Sequence, residues 1–425
     1  ESVGAETSLG IQGMIRHQAY TMAYGYNFAG PGLSTVENAG TTDGDEDRIS
    51  AEAAGVVLRQ SVALRDRLFL GASLRVDGHS AFGADRRFQI YPGVSASHVL
   101  TGIGHLPAAL STLRLRAAYG AAGQPPVDFS ARRTWISVPA SENAAGLITG
   151  NIGNPEIHAE VTHEIEAGFD AGLFEDRLFL EFTYYDQRTR DALFPVFDAP
   201  SAGFPDAQLT NIGEIRNSGI EAMLTARILD GPDFSWSLRG GIFTNSNRVV
   251  SIGIGEPLLL GGTQWIREDH PVAAFFTDAG EYIGPAFPTR TYQFGTELTH
   301  SAGIRMSASL DHRGGHYLES HTLREIAQGG DPMVPVGDRG DFVFPADAWR
   351  LREVTLAYDL PQRWVRPLRL AAATVSVAGR NLWRSQDYEG LEAEASHEAL
   401  QPLLNQVQFN TPIPRYVSAG IRIQF

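Results

Sequence analysis

Tyr416-Val-Ser-Ala-Gly-Ile-Arg-Ile-Gln-Phe425 is the stretch whose reading decides the fold. Phe425, Ile423, Ile421, Ala419 and Val417 are apolar, whereas Gln424, Arg422, Gly420 and Ser418 are polar or small. A helix would scatter these residues around its axis; a strand sorts them onto two faces. An alternation this regular that finishes on an aromatic suits the last strand of an outer-membrane barrel, with one face in lipid and the other toward a wet lumen. The competing reading is an edge strand of a soluble sandwich.

The same period recurs upstream. Leu68, Leu70, Ala72, Leu74 and Val76 alternate with a set that includes Ser73, Arg75 and Asp77. Leu113 and Leu115 alternate with Arg114 and Arg116, and Ile304, Met306, Ala308 and Leu310 with Arg305, Ser307, Ser309 and Asp311. The pattern predicts about fourteen strands, centred near residues 12, 56, 72, 93, 116, 166, 181, 221, 239, 294, 307, 355, 375 and 420. Each is expected to run about 9–11 residues, enough for a tilted strand to cross the hydrocarbon layer. Arg, Asp and Ser fill the inward row repeatedly. A sandwich core could not hold so many unpaired charges, but a hydrated or plugged lumen can. The expected fold is therefore all-β, a transmembrane antiparallel β-barrel.

Leu64-Arg-Asp-Arg67, Phe174-Glu-Asp-Arg177 and Leu229-Asp-Gly-Pro-Asp233 read as short periplasmic turns. Residues 29–48, 121–159, 189–212, 249–288, 312–346 and 383–413 are polar and rich in Gly and Pro, and read as extracellular loops. No repeat of 20–50 residues and no second domain is visible.

Composition narrows the classes. The 425 residues include 45 Gly and 23 Pro, and mean hydropathy is -0.15, which suits many strands joined by wet loops. The most apolar stretch, Leu370 to Gly379, is half of what a membrane helix needs. A net charge of -15 excludes a nucleic-acid partner, because phosphate binding requires a basic surface. There is no Cys, hence no disulfide or thiolate metal site. All 34 basic residues are Arg. Glu1-Ser-Val-Gly-Ala5 has neither the basic start nor the apolar core of an export signal, so the chain reads as the C-terminal part of a longer protein.

Several segments resemble the SusC/RagA-type TonB-dependent outer-membrane transporters. Leu74-Arg-Val-Asp-Gly-His-Ser-Ala-Phe-Gly83 looks like the family's R-x-D-G-S-S-x-F-G turn, and Tyr91-Pro-Gly-Val-Ser-Ala-Ser97 resembles its F-P-S-V-S-A element. Leu113 to Gly123, Gly153-Asn-Pro-Glu156 with Thr162-His-Glu-Ile-Glu166, and Gly379-Arg-Asn-Leu-Trp383 follow in family order. Asn211-Ile-Gly-Glu-Ile-Arg-Asn-Ser-Gly-Ile-Glu221 is the most specific, close to N-x-G-x-x-x-N-x-G-x-E. The likeness is collinear over residues 50 to 425. It implies the C-terminal fourteen or so strands of a 22-stranded barrel, whose N-terminal plug and TonB-contact segment lie outside this chain. Between Asp269 and Tyr282 the chain is shorter than the family pattern.

The resemblance further implies active, non-enzymatic import of oligosaccharides or peptides. Its partners would be a SusD-like surface lipoprotein, TonB–ExbB–ExbD acting through the missing region, the barrel-assembly machinery and outer-membrane lipid. No cofactor is implied. Arg75, Arg114, Arg116, Arg305 and Arg422 are the expected lumen-facing residues that meet the plug by charge-assisted hydrogen bonds. Tyr416 and Phe425 are the candidate assembly signal. A passive porin of about fourteen strands, or a structural or adhesive surface protein, is the alternative.

Other candidates are weaker. Gly78-His-Ser-Ala-Phe-Gly83 lacks the G-x-S-x-G spacing of a nucleophile elbow, which leaves Ser80 in a turn. His163-Glu164 and His397-Glu398 lack the second His of H-E-x-x-H. Asp43-Gly-Asp-Glu-Asp47 crowds carboxylates but lacks the final bidentate Glu of an EF-hand, so it reads as a solvated loop. Phe194, Phe197 and Phe204, among Pro195, Pro200 and Pro205, form a candidate capture loop that either stacks on a sugar ring or partner, or packs on neighbouring loops. Tyr184, Tyr185, Trp236, Trp349, Tyr358 and Trp364 are expected at the membrane interfaces.

Overall fold

The computed structural model describes residues 3–85, 87–101, 107, 109–139, 145–196, 199, 201, 203–204, 207–329, 337–394, 406–407 and 411–425. Fourteen strands pair antiparallel in chain order within one sheet. They are β1 (Val3–Phe28), β2 (Ala39–Leu64), β3 (Leu68–His79), β4 (Phe88–Val99), β5 (Leu110–Gln124), β6 (Glu160–Leu173) and β7 (Leu178–Val196). The series continues with β8 (Gln208–Asp230), β9 (Phe234–Thr244), β10 (Arg290–His300), β11 (Ile304–Gly314), β12 (Ala348–Asp359), β13 (Ala372–Gln386) and β14 (Tyr416–Gln424). Each expected centre falls within one of them. A fifteenth strand, Ser246–Ser251, pairs with the upper part of β8.

Several strands exceed the expected length. β1 and β2 each have 26 residues, and their ladder reaches Phe28↔Ala39. Residues 39–48, expected in a loop, therefore belong to a two-stranded ribbon. On one face of it Tyr20 stands opposite Asp47 and Tyr24 opposite Asp43, so the carboxylates read as loop are one side of a strand. β7 and β8 likewise invade the expected 189–212 loop and leave only 197–207 between them.

The β2–β3 connection places Arg65 and Asp66 at φ 53° and 52°, the mirror-image turn that matches strand twist. Phe174, Glu175 and Asp176 do the same between β6 and β7. In an up-and-down meander alternate connections share one end. The short turns therefore lie at one rim, and the long connections 125–159, 245–289, 315–347 and 387–415 at the other.

Burial is inverted relative to a soluble sheet. Large apolar side chains of the wall face outward, with Leu74 46% and Ile421 69% exposed. The buried apolar side chains concentrate instead in and under the long connections, where Val249, Ile252, Ile266 and Phe275 pack together. Leaving a row of Leu, Ile and Phe in water would forfeit about 1.5–3 kcal/mol per side chain, so the outer face belongs in hydrocarbon. No helix among the described residues is long and apolar enough to cross a membrane. Among the described residues no ladder joins β1 to β14, so both are free edges.

Candidate functional site

The strand register carries one polar face across the wall. Arg75 pairs with Tyr91, Ser97 with Arg116, Arg116 with Gly168 and Arg114 with Asp170. The same face continues through Gly168↔Thr183, Thr183↔Glu221 and Thr225↔Arg239. It ends on Arg305↔Ala357 and Thr374↔Arg422. Arg75, Arg114, Arg116, Arg305 and Arg422 thus share one polar face of the wall, the face opposite the outward Leu70–Leu74 row.

Most of these cations are already neutralised within the wall. Arg114 Nε donates to Asp170 at 2.7 Å and Arg116 Nε to the other oxygen of Asp170 at 3.2 Å. Arg116 also donates to Thr183 Oγ1 at 2.6 Å, Arg75 to Asp77 at 2.7 Å and Arg305 to Asp359 at 2.8 Å. Arg422 has no ion pair among the described residues. The arrangement lets charge line a wet interior at little cost, since four of the five guanidinium groups meet a carboxylate on their own or the adjacent strand. Tyr416 lies on this inner face as well and accepts from Arg380 at 2.9 Å, whereas Phe425 is 95% exposed.

Between the charged rows the inner surface is recessed. Gly71, Ser73, Gly93, Ser95, Ala118 and Gly120 line a 760 Å³ groove bounded by Arg59, Arg116 and Glu166. A second hollow of 360 Å³ is lined by Glu164, Glu166, Glu221, Gln187, Asn217 and Tyr185. Tyr185, expected in the lipid interface, is on the inner face and donates to the Thr244 carbonyl at 2.9 Å. Neighbours in a strand face opposite ways, so Tyr184 alone of the pair points outward. Among the described residues no group of three His, Asp or Glu is arranged to hold a metal.

The residues that carry the family resemblance are mostly framework. Asn211 accepts from the His158 N–H at 3.0 Å and donates to the His158 and Asp191 carbonyls at 2.9 Å, tying the 125–159 connection to β8. Gly219 lies under the Thr244 carbonyl, with no room for a β-carbon. Asn217 accepts from Asn247 at 2.7 Å and so holds Ser246–Ser251 on β8.

For Phe194 the packing alternative of the capture-loop reading replaces the exposed one. Phe194 is 3% exposed and packs with Ala192, Val249, Ile252 and Phe275 inside the loop layer. Asp191 is left-handed, at φ 55°, and the β7–β8 register shifts near Gly213, which turns Phe194 inward. Phe204 is partly buried, with the Arg133 guanidinium 5.5 Å from its ring centre. Phe197, with Pro200 and Pro205, lies outside the described residues.

An ion network that was not anticipated clamps the 387–394 segment to the rim. Glu392 is fully buried between Arg350, with which it makes an ion pair, and Arg384 at 2.5 Å. Arg352 bridges Asp311 at 2.5 Å and Glu394 at 2.8 Å. Burial alone would lift the Glu394 carboxyl, but Arg352 and Arg350 outweigh it and hold it below its ordinary value. The only hint in the sequence is the Arg350-Leu-Arg352 spacing, because its partners lie about 40 residues away.

Comparison with known proteins agrees with this architecture. A family model described as TonB dependent receptor-like, beta-barrel, matches residues 3–382. The chain is 23% identical to TonB-dependent receptor P26 of Formosa agariphila, covering 95% of this chain and 49% of that protein. It is 26% identical to TonB-dependent receptor SusC of Bacteroides thetaiotaomicron over 47% of this chain and 21% of SusC. The solved structure of the RagAB peptide transporter superposes with a TM-score of 0.87 at 19% identity, covering 100% of this chain and 54% of the matched one. The chain spans about half the length of P26 and of the RagAB chain. It belongs to the TonB-dependent receptor β-barrel family of the bacterial outer membrane, and its likeness to the SusC/RagA type holds in both sequence and fold.

Proposed function

We propose that this chain forms wall and capping loops of a TonB-dependent importer that takes up nutrients, either oligosaccharides or peptides. The observation that carries the reading is the wall's two faces: an apolar belt outside, and inside a continuous polar face recessed by Gly, Ser and Ala. Such a face suits a removable plug better than a fixed core, because most of its arginines are paired within the wall itself. In this reading the plug and the TonB-contact segment lie outside the chain. A SusD-like lipoprotein sits over the loop layer, and TonB–ExbB–ExbD supplies the work. The matched RagAB structure is described as a peptide transporter, which supports the peptide arm, while the oligosaccharide arm rests on the family resemblance of the sequence alone.

The inner arginines would then meet the plug, Arg75, Arg114, Arg116 and Arg305 through the donor groups left over from their wall carboxylates and Arg422 through its whole guanidinium. The free edges of β1 and β14 support a larger wall over a fourteen-stranded passive porin, because a closed porin pairs its first strand with its last. The test is growth of a strain deleted for the full gene on single glycans and peptides, with and without TonB. Loss of growth on one nutrient class, restored by the gene only when TonB is present, is expected. Unchanged growth on every nutrient would contradict the reading.

A further inference from the structure

The outer face carries one feature that a lipid-facing wall does not need. At the upper rim four basic side chains stand in directly paired register on neighbouring strands. His163 of β6 pairs with Arg188 of β7, Arg188 with Arg216 of β8, and Arg216 with Arg248 of Ser246–Ser251. Like charges directly opposite one another on a sheet repel. Arg190, two residues beyond Arg188 on the same face, adds a further cation.

Counter-charge is present but incomplete. Arg216 Nε donates to Asp186 at 2.8 Å, and Arg248 Nε to Asp269 at 3.1 Å. Arg188 is only loosely held, with its nearest carboxylates, Glu214 and Asp186, at 3.9 Å and 4.0 Å and its side chain 49% exposed. Arg190 is exposed and has no ion pair among the described residues. Four arginines thus face three carboxylates, a local excess of positive charge on a chain whose net charge is -15.

Height identifies the occupant. On the outer face of β7, Leu178, Leu180, Phe182 and Tyr184 are followed by Asp186, Arg188 and Arg190. Leu178 adjoins the short turn, and the ten-residue step from it to Arg188 spans about 33 Å of strand, or about 25 Å of height at barrel tilt. That is the height of the lipid-facing band, so the arginine row sits at its outer edge. Directly below it on the same face lie Ile165, Ile220 and Tyr184. A ligand that fits must be anionic above and apolar below. Elsewhere this rim carries aromatics: Tyr292 and Trp349 stack around His312.

We propose that the His163–Arg188–Arg216 row, extended by Arg190 and Arg248, binds the phosphate headgroup of an outer-leaflet lipid whose acyl chains lie along Ile165, Tyr184 and Ile220. Guanidinium groups suit phosphate through paired N–H···O bonds, and exposed Arg188 and Arg190 supply the donors that the carboxylates leave free. The inference rests on the placement of the wall in the membrane and not on what the barrel transports.

The test is native mass spectrometry of the detergent-purified full-length protein with phosphatidate, with phosphatidylcholine and with inorganic phosphate. Wild type is expected to retain phosphatidate over phosphatidylcholine, and R188Q/R190Q to weaken phosphatidate about tenfold, the loss of roughly one charge-assisted bond. R188K/R190K, which keeps the charge, should recover part of that. Heat-modifiable gel mobility verifies that each variant is folded, and R188Q/R190Q spares the Arg216–Asp186 pair so that folding is preserved. Equal phosphatidate retention by wild type and R188Q/R190Q would overturn the proposal. So would inorganic phosphate competing as well as the lipid, which makes the row a general anion site, or a change in oligomeric state with lipid retention unaltered, which makes it a protein contact.

Discussion

Gly83 lies against the backbone of Pro155, so close that a β-carbon at position 83 would collide with the Pro155 carbonyl. The Gly83 N–H donates to the Ile157 carbonyl at 2.7 Å, so two segments that resemble one family meet as one joint between the β3–β4 turn and the 125–159 connection. Because the obstacle is backbone, Gly83→Ala should cost about 1–3 kcal/mol through forced displacement. Gly13→Ala, which meets nothing within 4 Å, should be neutral and is the control. The measurement is the temperature at which the folded band converts to the unfolded one in heat-modifiable electrophoresis. Equal temperatures for the two variants would contradict the joint.

The Glu392 carboxylate is buried between Arg350 and Arg384. Glu392→Gln should destabilise the 387–394 segment by about 3 kcal/mol, since it leaves the Arg384 guanidinium without its carboxylate and Arg350 with Glu394 alone, at 2.7 Å. Faster protease cleavage within that segment, with the barrel band unchanged, is the expected result. Adding Arg384→Met should recover part of the loss by removing the stranded charge.

Acid should open the 315–347 connection. Burial pushes the His316 imidazole down to about 4, against 6.5 when exposed, and its Nδ1 has no hydrogen-bond partner. Opening the connection therefore takes up a proton between these pH values. His316 contributes about 3 kcal/mol of stability above pH 6.5, and this is lost as pH falls toward 4. Asp347 does not offset the loss. Burial would raise its carboxyl, but the Gly315 N–H and Arg290 hold it below its ordinary 3.8, so it stays ionised throughout that window. Hydrogen exchange at pH 7 and pH 5, corrected for intrinsic rates, should show deprotection of 315–347 that His316→Phe reduces.

Asp170 serves both Arg114 and Arg116 and is 4% exposed. Asp170→Asn leaves two cations, two residues apart on β5, without their shared carboxylate and should cost about 3 kcal/mol or more. Arg114→Ala should cost less, because Asp170 keeps Arg116. If both variants melt at the same temperature, the inner arginines are not organised by this carboxylate.

The strand count and the assignment of faces were legible because a period of two survives in the wall: Leu, Ile and Val on one side, Arg, Ser and Gly on the other. Legibility failed where that period is carried by unusual residues or interrupted. The upper β1–β2 ribbon alternates through Asp43, Asp45 and Asp47, which look like loop chemistry although each is a strand position. Phe194 reads as an exposed loop aromatic because nothing in the sequence marks the left-handed Asp191 that turns it inward. The Glu392 network unites segments far apart in the chain, and no local pattern encodes which acid meets which base.

The two-faced wall can be tested directly because the chain has no cysteine, so any thiol introduced is the sole one in it. Single variants Ser73→Cys and Ser97→Cys on the inner face, and Leu70→Cys and Leu115→Cys on the outer, would be treated in isolated outer membranes with a membrane-impermeant maleimide. The inner pair should react, slowly where a plug covers them, and react fully once urea extracts the plug. The outer pair should stay unlabelled until detergent removes the lipid. Rapid labelling of Leu70→Cys and Leu115→Cys in intact membranes, with the serine variants protected under every condition, would contradict the account.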